Sequence, residues 1–455
     1  MKHIAALSRA VIAVFLFLFL LASVAVLPTR AQSPSQPKIS NYDRQLTDEM
    51  LSRIHDAVKK DYYDVKFHGV DMDTRYKQYD AALKKAPTLG EAFRVIAAYL
   101  SGLHDSHTYF VPPSTDYRFD YGFRMEMIGD RCFVTEVRPG SDAATKIHPG
   151  DEILKLGVYT VNRKDFRDLD YYLNGLSPQG ALELQLRDPQ GAARTELVRT
   201  KFLPGEKVVD LSFRSGDTDF WNVILKEESM IHLLRERWVE IGDTLIWKIP
   251  AFNMTPVEVD EMMGKAKKHA ALIIDLRGNP GGGVDSLAYL VGRFFDHDVT
   301  IATPVGRKHD KDVVAKPHGA PFTGKLFVLV DSGSASASEL FARTMQLNHR
   351  ATVIGDLSAG AVMESKLYPF QIGVTGGSDF LVFYAASITH DDLLMTDGKS
   401  LENVGVTPDV TVLPTGADLA AGRDPVLAQA VQLAGAKLDP VAAGKLFPFE
   451  WAPLQ

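Results

Sequence analysis

The segment Ala271-Leu-Ile-Ile-Asp-Leu-Arg-Gly-Asn-Pro-Gly-Gly-Gly283 decides the fold class, because a short apolar run passes directly into a glycine-rich loop. Residues 271–276 are apolar except for Asp275, a composition typical of a strand that is buried on both faces. Similar apolar runs lie at Leu245–Ile249, Leu326–Val330 and Thr352–Ile354, and helical patterns lie between them at Val257–Lys268 and Glu339–Gln346. This alternation predicts an α/β domain in which helices cover a sheet.

The composition places the whole chain among globular proteins. It has 455 residues, which at roughly 150 residues per domain suggests about three domains. Hydrophobic residues make up 45% and charged residues 24%, which excludes disordered, collagen-like and polytopic membrane proteins. A net charge of −7 argues against a nucleic-acid-binding protein that relies on phosphate contacts. A single cysteine, Cys132, excludes an intrachain disulfide framework.

The amino terminus has the pattern of a secretory signal peptide over residues 1–31. Lys2 and Arg9 precede the apolar stretch Val11–Val26, and Thr29-Arg-Ala31 is compatible with signal-peptidase cleavage. The sequence therefore predicts an exported protein, periplasmic or secreted. The alternative is an uncleaved segment that anchors the chain in a membrane.

Downstream of this signal, the pattern predicts a multidomain α/β chain. Residues 32–40, rich in Pro, Ser and Gln, indicate a linker. Residues 41–117 form a predicted helical domain, with one helix starting at Thr47 and another at the capping-box sequence Thr88-Leu-Gly-Glu91. The other predicted parts are a β-rich module over 118–204 (with strands at Cys132–Val137, Ile153–Leu154 and Ala181–Leu186), the α/β core over 205–435 and a tail over 436–455.

The glycine-rich loop Asp275–Gly283 is the first candidate for chemistry. Its glycines leave backbone N–H groups free to approach a ligand, as in sites that bind an oxyanion or a phosphate. No Lys-Ser/Thr pair follows, and the glycine spacing does not fit a dinucleotide-binding loop. The alternative is a tight turn between a strand and a helix.

The second candidate is the Ser/Ala-rich loop Asp331–Glu339, between a strand and a helix. Ser336 and Glu339 match a capping box, so Ser336 can be a simple helix cap. Alternatively, Ser336 is a reactive serine at a helix N-terminus, where free N–H groups and the helix dipole favour developing negative charge. No Gly-x-Ser-x-Gly is present in this loop, which argues against an α/β-hydrolase.

A third cluster, Leu103–Phe110, contains two histidines three residues apart. His104 and His107 could share a metal, but the ligand set would need distant partners. A histidine acting as general base, its imidazole oriented by Ser106 or Asp105, is the alternative that we favour.

These loops, in this order, resemble the C-terminal (tail-specific) processing peptidases and their tricorn-core relatives. The resemblance covers residues 47 to 430 approximately. It rests on Asp105–Pro113, Val137–Ser141, His148–Ile153, Ile274–Gly282, Ser334–Glu339 and Glu402–Asp409. It implies a peptidase core of the crotonase-like ββα type, preceded by a PDZ-like module.

The resemblance also implies a serine peptidase without a metal or another cofactor. Ser336 is then the nucleophile, and the amide of Ala337 with one from the Gly281–Gly282 turn forms the oxyanion hole. The processing peptidases carry a base lysine where this chain has Ala361, and Lys366 is out of register. The tricorn-like branch instead implies a relay from Glu402 through Ser106 and His107 to Ser336.

The PDZ-like module implies a way to receive substrate. Such modules add an extended peptide to a sheet edge, and Gly122 and Phe123 lie in the candidate carboxylate loop Tyr121–Arg124. We therefore expect an exported endopeptidase acting on unfolded or C-terminally exposed polypeptides. The alternative is a catalytically silent protein of this fold that binds peptides or lipophilic ligands. The need for an adaptor protein and the oligomeric state stay open.

Overall fold

The computed structural model describes residues 38–113, 117–204, 235–308, 310–374 and 380–451. The predicted signal peptide over 1–31, residues 32–37 of the predicted linker, and residues 205–234 at the predicted start of the core lie outside the described residues. Within the described ranges, no helix is both long and apolar enough to cross a membrane.

The amino-terminal part is helical, as predicted. Its helices are α1 (Asn41–Asp61), α2 (Met72–Leu83) and α3 (Leu89–Ser101). Helix α1 begins at Asn41 rather than at Thr47, because Ser40 caps it: the Asp43 amide donates to Ser40 Oγ at 3.0 Å. Ser40, predicted to lie in the linker, therefore belongs to the folded part. Thr88 caps α3 as predicted, its Oγ1 accepting from the Glu91 amide at 3.3 Å.

The buried faces of these helices pack onto a strand that leads to the rest of the molecule. Met50, Ile54 and Ile96 are fully buried in one cluster with Phe110 and Ile388. Phe110 lies in β1 (Tyr109–Val111), which pairs antiparallel with β18 (Phe380–Met395). The loop between α3 and β1 is thereby held at the junction between the helices and the sheet.

Residues 117–204 form a β-rich module. Its elements are β2 (Tyr117–Asp120), β3 (Phe123–Ile128), β4 (Arg131–Val137), β5 (Glu152–Leu156), β6 (Tyr159–Thr160), α4 (Arg163–Tyr171), β7 (Ala181–Arg187), β8 (Ala193–Arg199) and β9 (Lys201–Pro204). The main sheet runs β3-β4-β5-β7-β8, with β6 on β5, and β2 pairs with β9. The three strands predicted here from the sequence are confirmed. Strand β3 is an edge strand of its sheet.

The core sheet is covered by helices on both faces, which confirms the α/β prediction. Its order is β10 (Arg237–Ile241), β11 (Thr244–Lys248), β12 (Ala271–Asp275), β15 (Lys325–Val330), β16 (Thr352–Gly355) and β19 (Val410–Thr411). All neighbours pair in parallel except β10 with β11. Leu272 and Ile274 pack towards α5 (Pro256–Ala266), α6 (Val284–Val291) and α7 (Ala337–Leu347), whereas Ile273 packs towards α9 (Pro425–Ala434).

A second sheet lies beside the core and is organised around β18. Strand β17 (Met363–Val374) pairs with β18, which also pairs with β1 through residues 385–387 and with β13 (Val299–Gly306) through residues 391–395. Strand β14 (Val313–Ala315) pairs with β13. Strand β18 therefore links the helical part to the core, and it passes directly behind the loop that carries His107.

The carboxyl-terminal residues are packed rather than extended into solvent. They include α8 (Gly416–Ala420) and α10 (Pro440–Ala443), and the described chain ends with residues 447–451, here called the C-terminal strap. The guanidinium of Arg124 lies 4.5 Å from the Phe449 ring centroid, and that of Arg138 lies 4.5 Å from the Trp451 ring. The strap thus contacts the β-rich module.

Candidate active site

Ser336 lies where β15 turns into α7, and its backbone is strained. It occupies the N-cap position, and its amide donates to Glu339 Oε2 as in the predicted capping box, but its side chain makes no cap hydrogen bond. Its dihedral angles are φ 53° and ψ −117°, however, whereas N-cap residues ordinarily have extended backbone. A non-glycine residue in such a region is costly and is held there by its surroundings, often at functional sites. Capping alone therefore does not account for this conformation.

Glu339 holds the strained turn in place. Its buried carboxylate accepts hydrogen bonds from four donors on two loops. These donors are the amides of Ser336 (3.0 Å), Gly360 (2.8 Å) and Ala361 (2.9 Å) and the hydroxyl of Ser358 (2.6 Å). Burial raises the pKa of Glu339, and these hydrogen bonds oppose the rise. The sequence identified Glu339 only as a capping partner, because its bonds to residues 358–361 depend on tertiary contacts.

Glu339→Gln should destabilise the protein. One side-chain oxygen becomes an NH2 group that faces N–H donors, so at least one donor loses its acceptor. A buried donor left without a partner costs about 1–3 kcal/mol, and we expect a loss of that size in the free energy of unfolding. Urea denaturation measures it. The control is Glu261→Gln, an exposed position on α5; equal stability of the two variants would contradict the assigned role.

The glycine-rich loop packs directly against Ser336. A Cβ added at Gly281, where φ is 105°, would lie 2.7 Å from Ser336 Cβ, so only glycine fits. The Gly281 amide donates to Asn279 Oδ1 at 2.8 Å. In the described part of the chain, the amides of Gly282 and Ala337 have no acceptor. Within the predicted glycine pair, Gly282 is therefore the amide that is free to stabilise an oxyanion together with Ala337.

A buried ionic network fixes the start of this loop. Arg277 donates to Asp275 Oδ1 (2.9 Å) and Oδ2 (2.8 Å), and also to Asp424 Oδ1 (2.9 Å) and Oδ2 (2.8 Å). Although burial opposes ionisation, Arg277 and Lys248 lower the pKa of Asp275. The paired charges keep the end of β12 rigid, so the loop that follows has a fixed position beside Ser336.

Glu402, Ser106 and His107 are joined by hydrogen bonds, although Glu402 and Ser106 are 296 residues apart. The Ser106 hydroxyl donates to Glu402 Oε2 at 2.8 Å, and the Ser106 amide donates to Glu402 Oε1 at 2.7 Å. Ser106 Oγ lies 2.6 Å from His107 Nδ1. The structure thus assembles three of the four predicted relay residues into one chain of contacts.

Asp105 shapes the loop instead of orienting the imidazole. Its Oδ1 accepts from the His107 amide (2.9 Å), the Thr108 amide (2.7 Å) and Thr389 Oγ1 (2.7 Å). Of the two residues considered for orienting the ring, Ser106 therefore makes that contact.

One peptide group connects Glu402 to Ser336. The Ser336 amide donates to the Ala361 carbonyl oxygen at 2.9 Å, and the Val362 amide of the same peptide bond donates to Glu402 Oε2 at 2.8 Å. No hydrogen bond joins His107 to Ser336 within the described residues. Ala361, where the sequence resemblance predicts the base lysine of the processing peptidases, is 7% exposed, whereas Lys366 is exposed on β17.

His107 is held in its neutral form. Burial lowers the pKa of His107 to about 4; Asp105 opposes this shift, and the charge of Arg167 adds to it. Burial also raises the pKa of Glu402, and the hydrogen bonds from Ser106 and Val362 oppose that rise. A neutral imidazole near pH 7 is the form that can accept a proton.

The lowered pKa of His107 predicts the acid limb of the pH profile. The reactive form of a base is lost as pH falls through its folded pKa, so kcat/KM should decline near pH 4 rather than near the ordinary value of 6.5. In the unfolded chain this histidine has its ordinary pKa of 6.5, so between pH 4 and pH 6.5 the unfolded state binds more protons than the folded state. The free energy of unfolding therefore rises as the pH increases from 4 to 6.5. Peptide hydrolysis between pH 3.5 and 8 measures the limb, with circular dichroism showing that the fold persists. A limb centred at or above 6.5 would contradict the prediction.

The predicted peptide-binding residues lie at the start of an edge strand. Gly122 has φ 77° and its carbonyl oxygen accepts from the Arg138 amide at 2.8 Å. Its own amide donates to Asp120 Oδ1 at 2.9 Å, so this amide is not free for a carboxylate. Phe123 begins β3, and β3 is near the core, where Ser332 Oγ donates to the Met127 carbonyl oxygen at 2.6 Å.

Known proteins match the same region of the chain. Residues 243–412, which contain the glycine-rich loop, Ser336 and Glu402, match the family model for peptidase family S41. This part of the chain is therefore similar to peptidase family S41. The similarity agrees with the resemblance drawn from the sequence motifs.

Two curated relatives are similar over about two thirds of this chain. The tail-specific protease of Haemophilus influenzae is 26% identical over 324 residues, which cover 65% of this chain and 42% of that protein. A probable CtpA-like serine protease of Staphylococcus aureus is 27% identical over 299 residues, covering 64% and 52%. The chain therefore spans about half the length of the curated relatives that it matches.

A solved structure shares the fold. The crystal structure of mature CPAF superposes with a TM-score of 0.60 at 17% identity, covering 84% of this chain and 95% of that one. At this identity the likeness concerns the fold alone. It extends well beyond residues 243–412 and so includes parts of the chain outside the family match.

Proposed function

We propose that this chain is an exported serine endopeptidase that hydrolyses peptide bonds in unfolded or C-terminally exposed polypeptides. The observation that carries the proposal is the strained Ser336, packed against the glycine-rich loop and tied through one peptide group to Glu402, Ser106 and His107. The match of residues 243–412 to the S41 family model and the similarity to proteins named as serine and tail-specific proteases support it. The apolar segment Val11–Val26 is the basis for export.

The hydrogen-bond directions favour His107 as the base. The single Ser106 hydroxyl proton goes to Glu402 Oε2, so Ser106 Oγ must accept from His107 Nδ1–H. This arrangement fixes the tautomer in which Nε2 carries a lone pair. Nε2 then takes the Ser336 proton as Oγ attacks the carbonyl carbon, and returns it to the leaving amine. Glu402 stabilises the charge that develops along the relay.

Two backbone amides complete the chemistry. The carbonyl oxygen of the scissile bond becomes negatively charged on attack and is stabilised by the amides of Gly282 and Ala337. Ala337 is the first residue of α7, where the positive end of the helix dipole adds to the effect. Amide donors supply this stabilisation without a metal or another cofactor.

The β-rich module is assigned to substrate reception as a PDZ-like domain. Edge strand β3, which starts at Phe123, would pair with an extended polypeptide. Since the Gly122 amide is engaged by Asp120, other amides of this loop would have to hold a terminal carboxylate. The proximity of β3 to the Ser332 loop would direct such a chain towards Ser336.

A fluorophosphonate probe tests the proposal directly. The purified chain should be labelled covalently, the label should map to the peptide that contains Ser336, and labelling should stop casein degradation. The binding-protein alternative predicts no labelling, because an unactivated serine does not react with such probes. A chain that is folded by circular dichroism but neither labelled nor able to degrade casein would overturn the proposal.

A further inference from the structure

A cluster of ligand-type side chains at the middle of β18 has no part in the proposed mechanism. Asp310, His390 and Asp391 each offer a potential metal-ligand atom, and these atoms lie within 4.8 Å of one another. Glu364, on neighbouring β17, places Oε1 3.9 Å from His390 Nε2. Within the described residues this is the one group of its kind.

One oxygen of this cluster is buried without a partner. Asp391 is 2% exposed, and its Oδ2 is hydrogen-bonded to His390 Nδ1. Among the residues that the structure describes, Oδ1 of Asp391 has no hydrogen-bond partner. A buried carboxylate oxygen without a donor is costly, so it needs a ligand or an ion. The space beside Asp391 Oδ1 depends on Gly306, because a Cβ at that residue would lie 2.3 Å from the oxygen and would clash with it.

The charges of the cluster point to a cation. Asp310, Glu364 and Asp391 place three carboxylates close to the imidazole of His390. Lys366, two residues from Glu364 on β17, has an exposed side chain. Three carboxylates crowded around one imidazole would repel one another less with a divalent ion between them.

We propose that Asp310, Glu364, His390 and Asp391 bind one divalent cation of the zinc class. An imidazole nitrogen among carboxylates is a donor set typical of zinc, whereas calcium and magnesium prefer oxygen ligands alone. An ion bound by both His390 and Asp391 would replace the present contact between His390 Nδ1 and Asp391 Oδ2, while Glu364 lies 3.9 Å from the other ring nitrogen. Ligands of a tetrahedral zinc are about 3.4 Å apart, so rotation of the His390 and Glu364 side chains would close the site.

The position of this site would let the ion stiffen the relay. On the preceding residue, Thr389 Oγ1 donates to Asp105 Oδ1 at 2.7 Å, and Asp105 shapes the His107 loop. On the following residue, Asp392 Oδ1 accepts from Ser400 Oγ at 2.7 Å, and Ser400 Oγ accepts from the Glu402 amide at 3.1 Å. The cation would therefore restrain the strand segment that holds both ends of the relay.

Calorimetric titration of the full chain with Zn²⁺ tests this proposal, independently of any peptidase activity. We expect one ion per chain, binding at least tenfold weaker in Asp310→Asn and in His390→Ala, and a thermal unfolding midpoint that rises with Zn²⁺ only when the site is intact. The controls are Asp312→Asn, an exposed carboxylate in the same β13–β14 connection, and His297→Ala, an exposed histidine; both should bind as the wild type does.

Three other results of the titration would contradict the proposed zinc site. No saturable binding to the wild type would overturn the proposal. So would binding that survives both Asp310→Asn and His390→Ala, since the ion would then lie elsewhere. Equal affinity for Ca²⁺ and Zn²⁺ would refute the zinc-class assignment. Asp310 is exposed, so its substitution should leave the fold intact even if a change at buried Asp391 does not.

Discussion

Ser336→Ala should reduce peptide hydrolysis by at least about 1,000-fold. Removing the hydroxyl removes the atom that would attack the carbonyl, and loss of the nucleophile or the base of a catalytic relay usually costs about as much as loss of the whole relay. Stability should change little, because alanine meets the same backbone strain at φ 53° and keeps the hydrogen bond from the backbone amide to Glu339. Initial rates of casein degradation and the extent of fluorophosphonate labelling measure the effect.

The matched control for this variant is Ser332→Ala, in the same loop. Ser332 Oγ bonds the Met127 carbonyl oxygen at 2.6 Å, and Ser332 is not part of the relay. One such hydrogen bond is worth about 0.5–1.5 kcal/mol, so the control should keep its activity within about tenfold. If Ser336→Ala retained activity comparable to that of Ser332→Ala, Ser336 would be a helix cap and nothing more.

His107→Ala should also reduce turnover by about 1,000-fold or more while leaving the protein folded. In the proposed mechanism the imidazole removes the Ser336 proton, and a serine without a base is a poor nucleophile near neutral pH. KM should change much less than kcat, because the ring acts on the proton and not on the bound polypeptide. Steady-state kinetics on a fluorogenic peptide separate these two parameters.

Lys366→Ala is the comparison that decides between a histidine and a lysine as the base. The lysine is exposed on β17, and the resemblance to the processing peptidases places their base lysine at Ala361 instead. We expect Lys366→Ala to retain nearly full activity. The reverse pattern, with Lys366→Ala inactive and His107→Ala active, would show that the base had been misassigned.

The sequence predicted the core because each of its signals is local. The apolar runs that became β11, β12, β15 and β16 are short, continuous and bounded by turns or helices, so composition alone locates them. The start of α1 was missed because apolar periodicity locates only the buried part of a helix. Asn41 and Tyr42 are exposed, so the apolar periodicity begins after the true N-cap at Ser40.

The candidate site is predictable only in part. The two loops can be recognised in the sequence from their glycine and serine content. The contact between Ser106 and Glu402, 296 residues apart, could be expected only from the family resemblance. The strain at Ser336 and the acceptor role of Glu339 depend on residues 358–361, which no local pattern connects to α7. The cluster at His390 was missed because its members come from three separate stretches of chain.

The C-terminal strap would oppose movement of the β-rich module away from the core, because it contacts both. Swinging the β-rich module away from the core would separate Arg124 from Phe449 and Arg138 from Trp451, while Arg237 of the core holds the carbonyl oxygen of Pro448 at 2.6 Å. Both arginines are partly buried, and two such cation–π contacts are worth at least about 1–2 kcal/mol together. Contacts of this strength favour the closed arrangement over an open one by roughly 5–30-fold. A polypeptide that binds the open arrangement more tightly by a similar factor can reverse this preference.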